Sequence, residues 1–285
     1  MIFKKIRYIA IFLILFFLVP KSYAQNEILT LGIHPYLPSS ELLDKFKLLA
    51  DYLSKEVNKK VIIEVSKDYN DHIQKIGNDK FHIAVMGPFS YVKMVQKYGK
   101  KPILSRFEVD GKPVFKGAIV VSQDSDIKKL GDLKSKRFAF VDPESTMGYV
   151  VPLYLLLKEG IYLKDFSEYK FLYNHHNVAL GVLAGAFDAG AIKEDVFYAY
   201  KKRGLRAIAW SPYISEHVFV ASKKLPKETI KKLKESMIQL RDNEEGMKIL
   251  RKIQNNLTGL VTASDKDYED LSEIYRKLQK AGYKL

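Results

Sequence analysis

The sequence predicts an α/β protein of two similar lobes, and three observations carry that expectation. Short apolar strand patterns alternate with amphipathic helix patterns from Ile28 onward. The same succession recurs with a constant offset of 106 positions. The chain beyond Leu225 is a mostly helical surplus without a counterpart in either repeat. Alternation of this kind implies a parallel sheet with helical crossovers.

In the first passage Ile28–Ile33 is a β-rich run, and Leu42–Leu53 sets Leu42, Phe46, Leu49 and Leu53 at helical spacing. Val61–Val65 reads as a second strand, Asp71–Ile76 as a short helix and Phe81–Met86 as a third strand. In the second passage Arg137–Val141 is a strand, Tyr149–Lys158 a helix and Tyr169–Tyr173 a strand. Asn177–Leu183 then reads as a helix and Phe187–Ile192 as a strand. Phe81-His82-Ile83-Ala84 falls on Phe187-Asp188-Ala189-Gly190, and the same offset lays Tyr69 on His175. Both stand just after a second strand, where a helix is about to begin. In the tail, Pro226 suits a first helical turn, and Ile230, Leu233, Met237 and Leu240 make one apolar stripe. The tail is expected to pack back on the first lobe, so that the chain crosses between lobes twice.

The first 24 residues read as a cleavable export signal. Lys4, Lys5 and Arg7 form a basic start, every residue from Ile9 to Val19 is apolar, and Ser22-Tyr23-Ala24 supplies the small residues of a cleavage site. The apolar run is shorter than the roughly 20 residues a spanning helix needs. The mature protein is expected to begin near Gln25, in the periplasm. It contains no cysteine, so neither a disulfide nor a lipid attached to a cysteine is available. Net charge is +14 for the whole chain. Four of those charges (Lys4, Lys5, Arg7 and Lys21) leave with the signal, and the remaining basic excess favours anionic ligands through long-range steering. Nucleic acid is not an expected partner, because export separates the two and no binding motif occurs.

Ligands of open α/β sheets sit outside the carboxyl ends of the strands. Those loops are 34–40, 67–70 and 87–91 in the first unit, and 142–148, 174–177 and 193–195 in the second. Asp142-Pro143-Glu144-Ser145-Thr146-Met147-Gly148 offers two hydroxyls and free amides at a helix start, a combination suited to an anion. An ordinary helix cap needs only one hydroxyl. Tyr69 and His175 each present a hydrogen-bond donor from one half of the repeat. His175 and His176 are adjacent, and adjacent helical residues do not share a face. With no ligand spacing of the zinc kind, no metal and no cofactor are expected. Gly87-Pro88 turns the chain ahead of Tyr91, which is a weaker ligand candidate. Nothing pairs a nucleophile with a base, so the chain is not expected to be an enzyme.

Together these residues resemble the phosphate, phosphite and phosphonate-binding family of ABC-transporter periplasmic proteins. The resemblance rests on Lys67-Asp68-Tyr69, Met86-Gly87-Pro88-Phe89-Ser90-Tyr91, the 142–149 loop with Pro152, and His175 followed by Phe187-Asp188-Ala189-Gly190-Ala191. Trp210-Ser211-Pro212 and Ala263-Ser264-Asp265-Lys266-Asp267-Tyr268 extend it over nearly the whole mature chain. It implies a type II periplasmic-binding-protein fold, with each lobe a mixed, mostly parallel sheet flanked by helices and two crossovers between them. Residues 25–108 with 216–285 would form lobe 1, and residues 109–215 lobe 2. It also implies an oxyanion held at Tyr69, Ser145, Thr146 and His175 and an ABC permease as partner; the chain is expected to be a monomer that meets the inner membrane only through that permease. Asp195 matches an acidic position able to face a ligand amine. Three departures bear on ligand identity: Phe115 stands for a tyrosine, Met147 for a small hydroxyl residue, and His217 for an acidic residue. A periplasmic module that senses a ligand of another class and signals to a membrane receptor or kinase remains the alternative.

Overall fold

A computed structural model describes residues 28–285; the expected export signal lies outside them. The first unit opens with β1 (Leu29–Ile33), α1 (Ser39–Val57), β2 (Val61–Val65), α2 (Tyr69–Gly77), β3 (Ile83–Met86) and α3 (Pro88–Tyr98). The chain leaves this lobe through β4 (Ile103–Val109) and the two-residue β5 (Val114–Phe115), and enters the second at β6 (Gly117–Ser122). There it builds β7 (Arg137–Phe140), α4 (Val151–Lys158), β8 (Glu168–Phe171), α5 (His175–Leu183), β9 (Ala189–Lys193), α6 (Glu194–Lys201) and β10 (Leu205–Trp210). It returns through β11 (Ile214–Ser215) to β12 (Val218–Ala221), α7 (Lys227–Gln239), α8 (Glu244–Ile253), β13 (Leu257–Val261) and α9 (Glu269–Lys280).

The strands form two mixed sheets, ordered β13-β4-β12-β3-β1-β2 and β10-β6-β9-β7-β8. In the first, β1, β2, β3 and β4 run one way, while β12 and β13 run against them. In the second, β6 alone opposes β7, β8, β9 and β10. The fold is the two-lobed one expected. Its two connecting strands, β5 and β11, pair with each other between the sheets, with Ile214 opposite Phe115.

Burial explains the patterning. α1 buries Leu42, Phe46, Leu49 and Leu53 against the first sheet, and α7 and α8 cover the same face with Leu233, Met237, Leu250 and Ile253. β3 is buried at every residue, as a central strand covered on both faces must be. α5 and α6 cover one face of the second sheet through Val178, Val182 and Phe197. A third apolar cluster runs from Phe89 and Met94 of α3 through Phe138, Phe140 and Leu153 to Leu271 and Leu278 of α9. The terminal helix therefore rests on both lobes, where the tail was expected to rest on the first alone. The tail also contains β13, which the helical reading of that stretch does not include. Leu257–Val261 is interrupted by Thr258 and Gly259, so it lacks the β-branched run that marks Val61–Val65, and it is a strand because β4 offers it a free edge.

Candidate ligand-binding cleft

The repeat seen in the sequence is exact in the backbone around the cleft. α2 and α5 are both nine-residue helices, beginning at Tyr69 and His175. Asp68 and Asn174 cap them, accepting from the Asp71 amide at 2.7 Å and the Asn177 amide at 2.8 Å. Each cap satisfies an amide that the helix leaves without a partner. Tyr69 and His175 are thus the first helical residues beyond strand ends in opposite lobes.

The loop after β7 is shaped by its own hydroxyls. Ser145 Oγ accepts from the Gly148 amide at 3.1 Å, capping one π-helical turn, Thr146–Val150, that leads into α4. The helix expected from Tyr149 therefore begins three residues earlier, in a wider turn. Gly148 is required here, since a Cβ would lie 2.4 Å from Val141 and 2.7 Å from Ser145 Oγ. Thr146 Oγ1 accepts from the Phe89 amide at 3.0 Å. Phe89 follows Pro88 at the start of α3, so a hydroxyl of the second lobe caps a helix of the first. Lys93 of α3 also pairs with Glu144 of this loop, a second polar tie between the lobes.

These elements enclose a cavity of about 50 Å³. A water-sized probe occupies roughly 10–15 Å³ on the same measure, so the space suits a ligand of a few heavy atoms. Tyr69, Ser145, Thr146, His175, Phe115, Met147 and His217 all line it, which brings seven of the nine residues singled out in the sequence to one place. Asp195 lines two adjoining spaces of the cleft instead, with its carboxylate 2.8 Å from Lys193 Nζ. Tyr91 does not line the cavity. It is buried in ring contact with Tyr268, its hydroxyl donating to Asp265 at 2.6 Å, because the α3 turn that carries it faces the terminal segment and not the cleft.

Three of the lining groups share one electronic arrangement. Ser145 and Thr146 each accept a backbone amide from behind, and His175 Nδ1 accepts the Lys193 amide at 3.1 Å. An acceptor Nδ1 fixes the neutral ring as the Nε2–H tautomer. Burial, reinforced by the Lys193 charge, pushes the His175 pKa down to about 3, so the ring is uncharged at neutral pH. Among the described residues no acceptor takes either hydroxyl hydrogen or the imidazole N–H, and all three residues line the cavity. Burial likewise drives the Tyr69 phenol well above its ordinary pKa, keeping it a protonated donor. Such a lining matches an acceptor-rich ligand, and a full negative charge strengthens each bond.

Residues not singled out in the sequence complete the wall: His34, Tyr36, Phe107, Glu144, Lys193 and Gln254. His34 and Lys193 sit in loops the strand-end rule had marked, but nothing in their local pattern separated them from ordinary loop residues. His34 stacks on His217 at 5.5 Å and 14°, and Phe115 and Phe107 flank His217 at 5.7 and 5.6 Å. Met147 Sδ lies 3.6 Å from Ser211 Oγ. The cavity therefore combines hydrogen-bond donors with a cluster of aromatic rings. Among the described residues no group of three or more His, Cys, Asp or Glu side chains could hold a metal ion, and no helix is long and apolar enough to cross a membrane.

Two sheets meeting across a small donor-lined cavity, joined by a paired two-strand crossover, define a two-lobed solute-binding protein. The model of one family, described as the periplasmic substrate-binding protein of phosphonate ABC transporters, matches residues 31–268, and the chain belongs to that family. It is 29% identical over 273 residues to the phosphate-import protein PhnD of Mycolicibacterium smegmatis, covering 87% of this chain and 85% of that protein. It is 25% identical over 276 residues to a probable ABC transporter phosphite-binding protein, PhnD1, of Prochlorococcus marinus, covering 90% and 92%. The structure of Prochlorococcus marinus PhnD1 in complex with methylphosphonate aligns with a TM-score of 0.80 at 25% identity, over 89% of this chain and 98% of that one.

Proposed function

We propose that this protein captures a small phosphorus oxyanion (phosphonate, phosphite, phosphate or a phosphate ester) in the periplasm and delivers it to the permease of an ABC importer. The observation that carries the reading is the common arrangement of Ser145, Thr146 and His175. Each has its acceptor side used by a backbone amide, each lines the same cavity, and on this reading the remaining hydrogens donate to the ligand. The relatives named for phosphate and phosphite, and the methylphosphonate complex, support the same ligand class. On this reading lobe 1 comprises residues 25–108 with 216–285, lobe 2 residues 109–215, and the β5–β11 ladder is the hinge. The open form takes the anion on one lobe, and closure adds contacts from the other. The Thr146 bond to the Phe89 amide and the Lys93–Glu144 pair then hold the lobes together. The protein acts as an exported monomer, cleaved after Ala24, and performs no catalytic step.

Thermal melting and calorimetry of residues 25–285 with methylphosphonate, phosphite, phosphate and a neutral sugar test this. Ligand at a hundred times its Kd stabilises the folded form by about 2.7 kcal/mol, a clear rise in Tm. A protein whose Tm responds to none of the phosphorus oxyanions at millimolar concentration does not have this function.

A further inference from the structure

Among the donors of the cavity wall stands an uncharged acceptor. His34, at the end of β1, is 1% exposed, and its Nδ1 lies 3.1 Å from the Val85 carbonyl oxygen. A carbonyl only accepts, so Nδ1 carries the hydrogen and, in the neutral ring, Nε2 is a bare acceptor. Nε2 makes no hydrogen bond among the described residues, and His34 lines the cavity. The ring is clamped in that orientation by Tyr36 at 4.8 Å, by His217 stacked at 5.5 Å and by His72 edge-on at 5.9 Å.

We propose that His34 is the acceptor that makes the site select the singly protonated form of its oxyanion, with a P–OH group donating to His34 Nε2. This rests on the oxyanion reading above and sharpens it. A fully deprotonated oxyanion presents only lone pairs. It would satisfy Ser145, Thr146 and His175 but would set an oxygen lone pair against the Nε2 lone pair. Buried polar groups left unmatched are costly, and a site built to pair with a hydroxyl discriminates strongly against ligands lacking one. Protonating His34 would relieve the clash, but the surroundings resist it. The ring faces Tyr36 on its own loop, Tyr69 and His72 on α2, His217 before β12 and Lys193 at the end of β9. Burial first, then the His217 and His72 rings, and finally Lys193, hold its pKa well below the ordinary value. Glu144 is the other acceptor on the wall. Lys93 holds one of its oxygens, and the second is sealed off without a partner.

Calorimetry on the mature protein separates this from a plain anion site. The probes are methylphosphonate, trifluoromethylphosphonate (a similar shape whose second proton leaves at far lower pH) and sulfate. The proposal expects methylphosphonate affinity to be flat below its own second ionisation and to fall about tenfold per pH unit above it, as the competent species is depleted. At neutral pH the fluorinated analogue and sulfate bind at least about tenfold more weakly. His34→Asn, which can turn an amide donor to a dianion, reduces that discrimination. If the variant fails to fold, the pH series on the natural chain still decides the matter. Methylphosphonate affinity unchanged or rising through its second ionisation, or sulfate binding equally well, overturns the His34 proposal and leaves the oxyanion reading standing. Failure of every oxyanion to bind overturns both.

Discussion

Thr146 has two jobs in this structure, and one substitution separates the consequences. Thr146→Val keeps the branched shape and removes the hydroxyl. The ligand loses one donor to a buried anion, a bond worth about 1.5–3 kcal/mol. The Phe89 amide, now without its acceptor at 3.0 Å, becomes an unpaired donor in the closed form. That costs about 1–3 kcal/mol where the amide stays buried, and less where closure lets water in. Because Thr146 and Phe89 belong to different lobes, both losses fall on the closed, ligand-bound state. The combined effect on Kd is expected to lie between about tenfold and about ten-thousandfold or slightly more. Thr146→Ser retains both bonds and should bind within a few-fold of the parent. Calorimetry with methylphosphonate at neutral pH measures the change, and circular dichroism checks that the fold persists. Thr146→Val binding within twofold of the parent would refute the reasoning, because neither the ligand bond nor the interlobe cap would then matter.

Gly148→Ala forces a Cβ to within 2.4 Å of Val141 and 2.7 Å of Ser145 Oγ. It should destabilise the protein by about 1–3 kcal/mol and weaken binding as well, read by denaturant melts and calorimetry on the same samples. Tyr91→Phe removes the 2.6 Å bond to Asp265 outside the cavity, so stability should fall by about 1–2 kcal/mol with ligand Kd unchanged. Lys93→Met leaves Glu144 without its cation near a bound anion, and should weaken binding by about tenfold, an effect that added salt diminishes in the parent.

Acid should unfold the protein early. His72 and His175 are each pushed down to about 3, chiefly by burial, and His34 is lowered in the same direction. The unfolded chain binds protons at these positions near pH 6.5 and the folded one does not, so stability rises with pH between about 3 and 6.5. At pH 5.5 each such histidine costs about 1.4 kcal/mol relative to high pH. Melting temperature should therefore drop steeply from pH 7 to 5, and His72→Asn should flatten the slope. A Tm independent of pH over that range would contradict the burial of these rings.

Where strand and helix lie in the repeated units is a local matter, and the sequence carried it. Val61–Val65 is the second strand as read, and the offset that paired Tyr69 with His175 also pairs their caps, Asp68 and Asn174, because a helix start needs only neighbours within a turn to declare itself. The same locality made Ser145 and Thr146 visible as a hydroxyl pair at a helix start. Partners distant in the chain had no local trace. Thr146 meets the Phe89 amide 57 residues away, and His34 is oriented by Val85 across 51. Leu257–Val261 became a strand only because β4 had an open edge to offer, and Tyr91 left the candidate site because α3 turned it toward Asp265. A residue type states what a side chain can donate or accept. Which of those capacities is already used, and which is left facing the cavity, is decided by long-range packing alone.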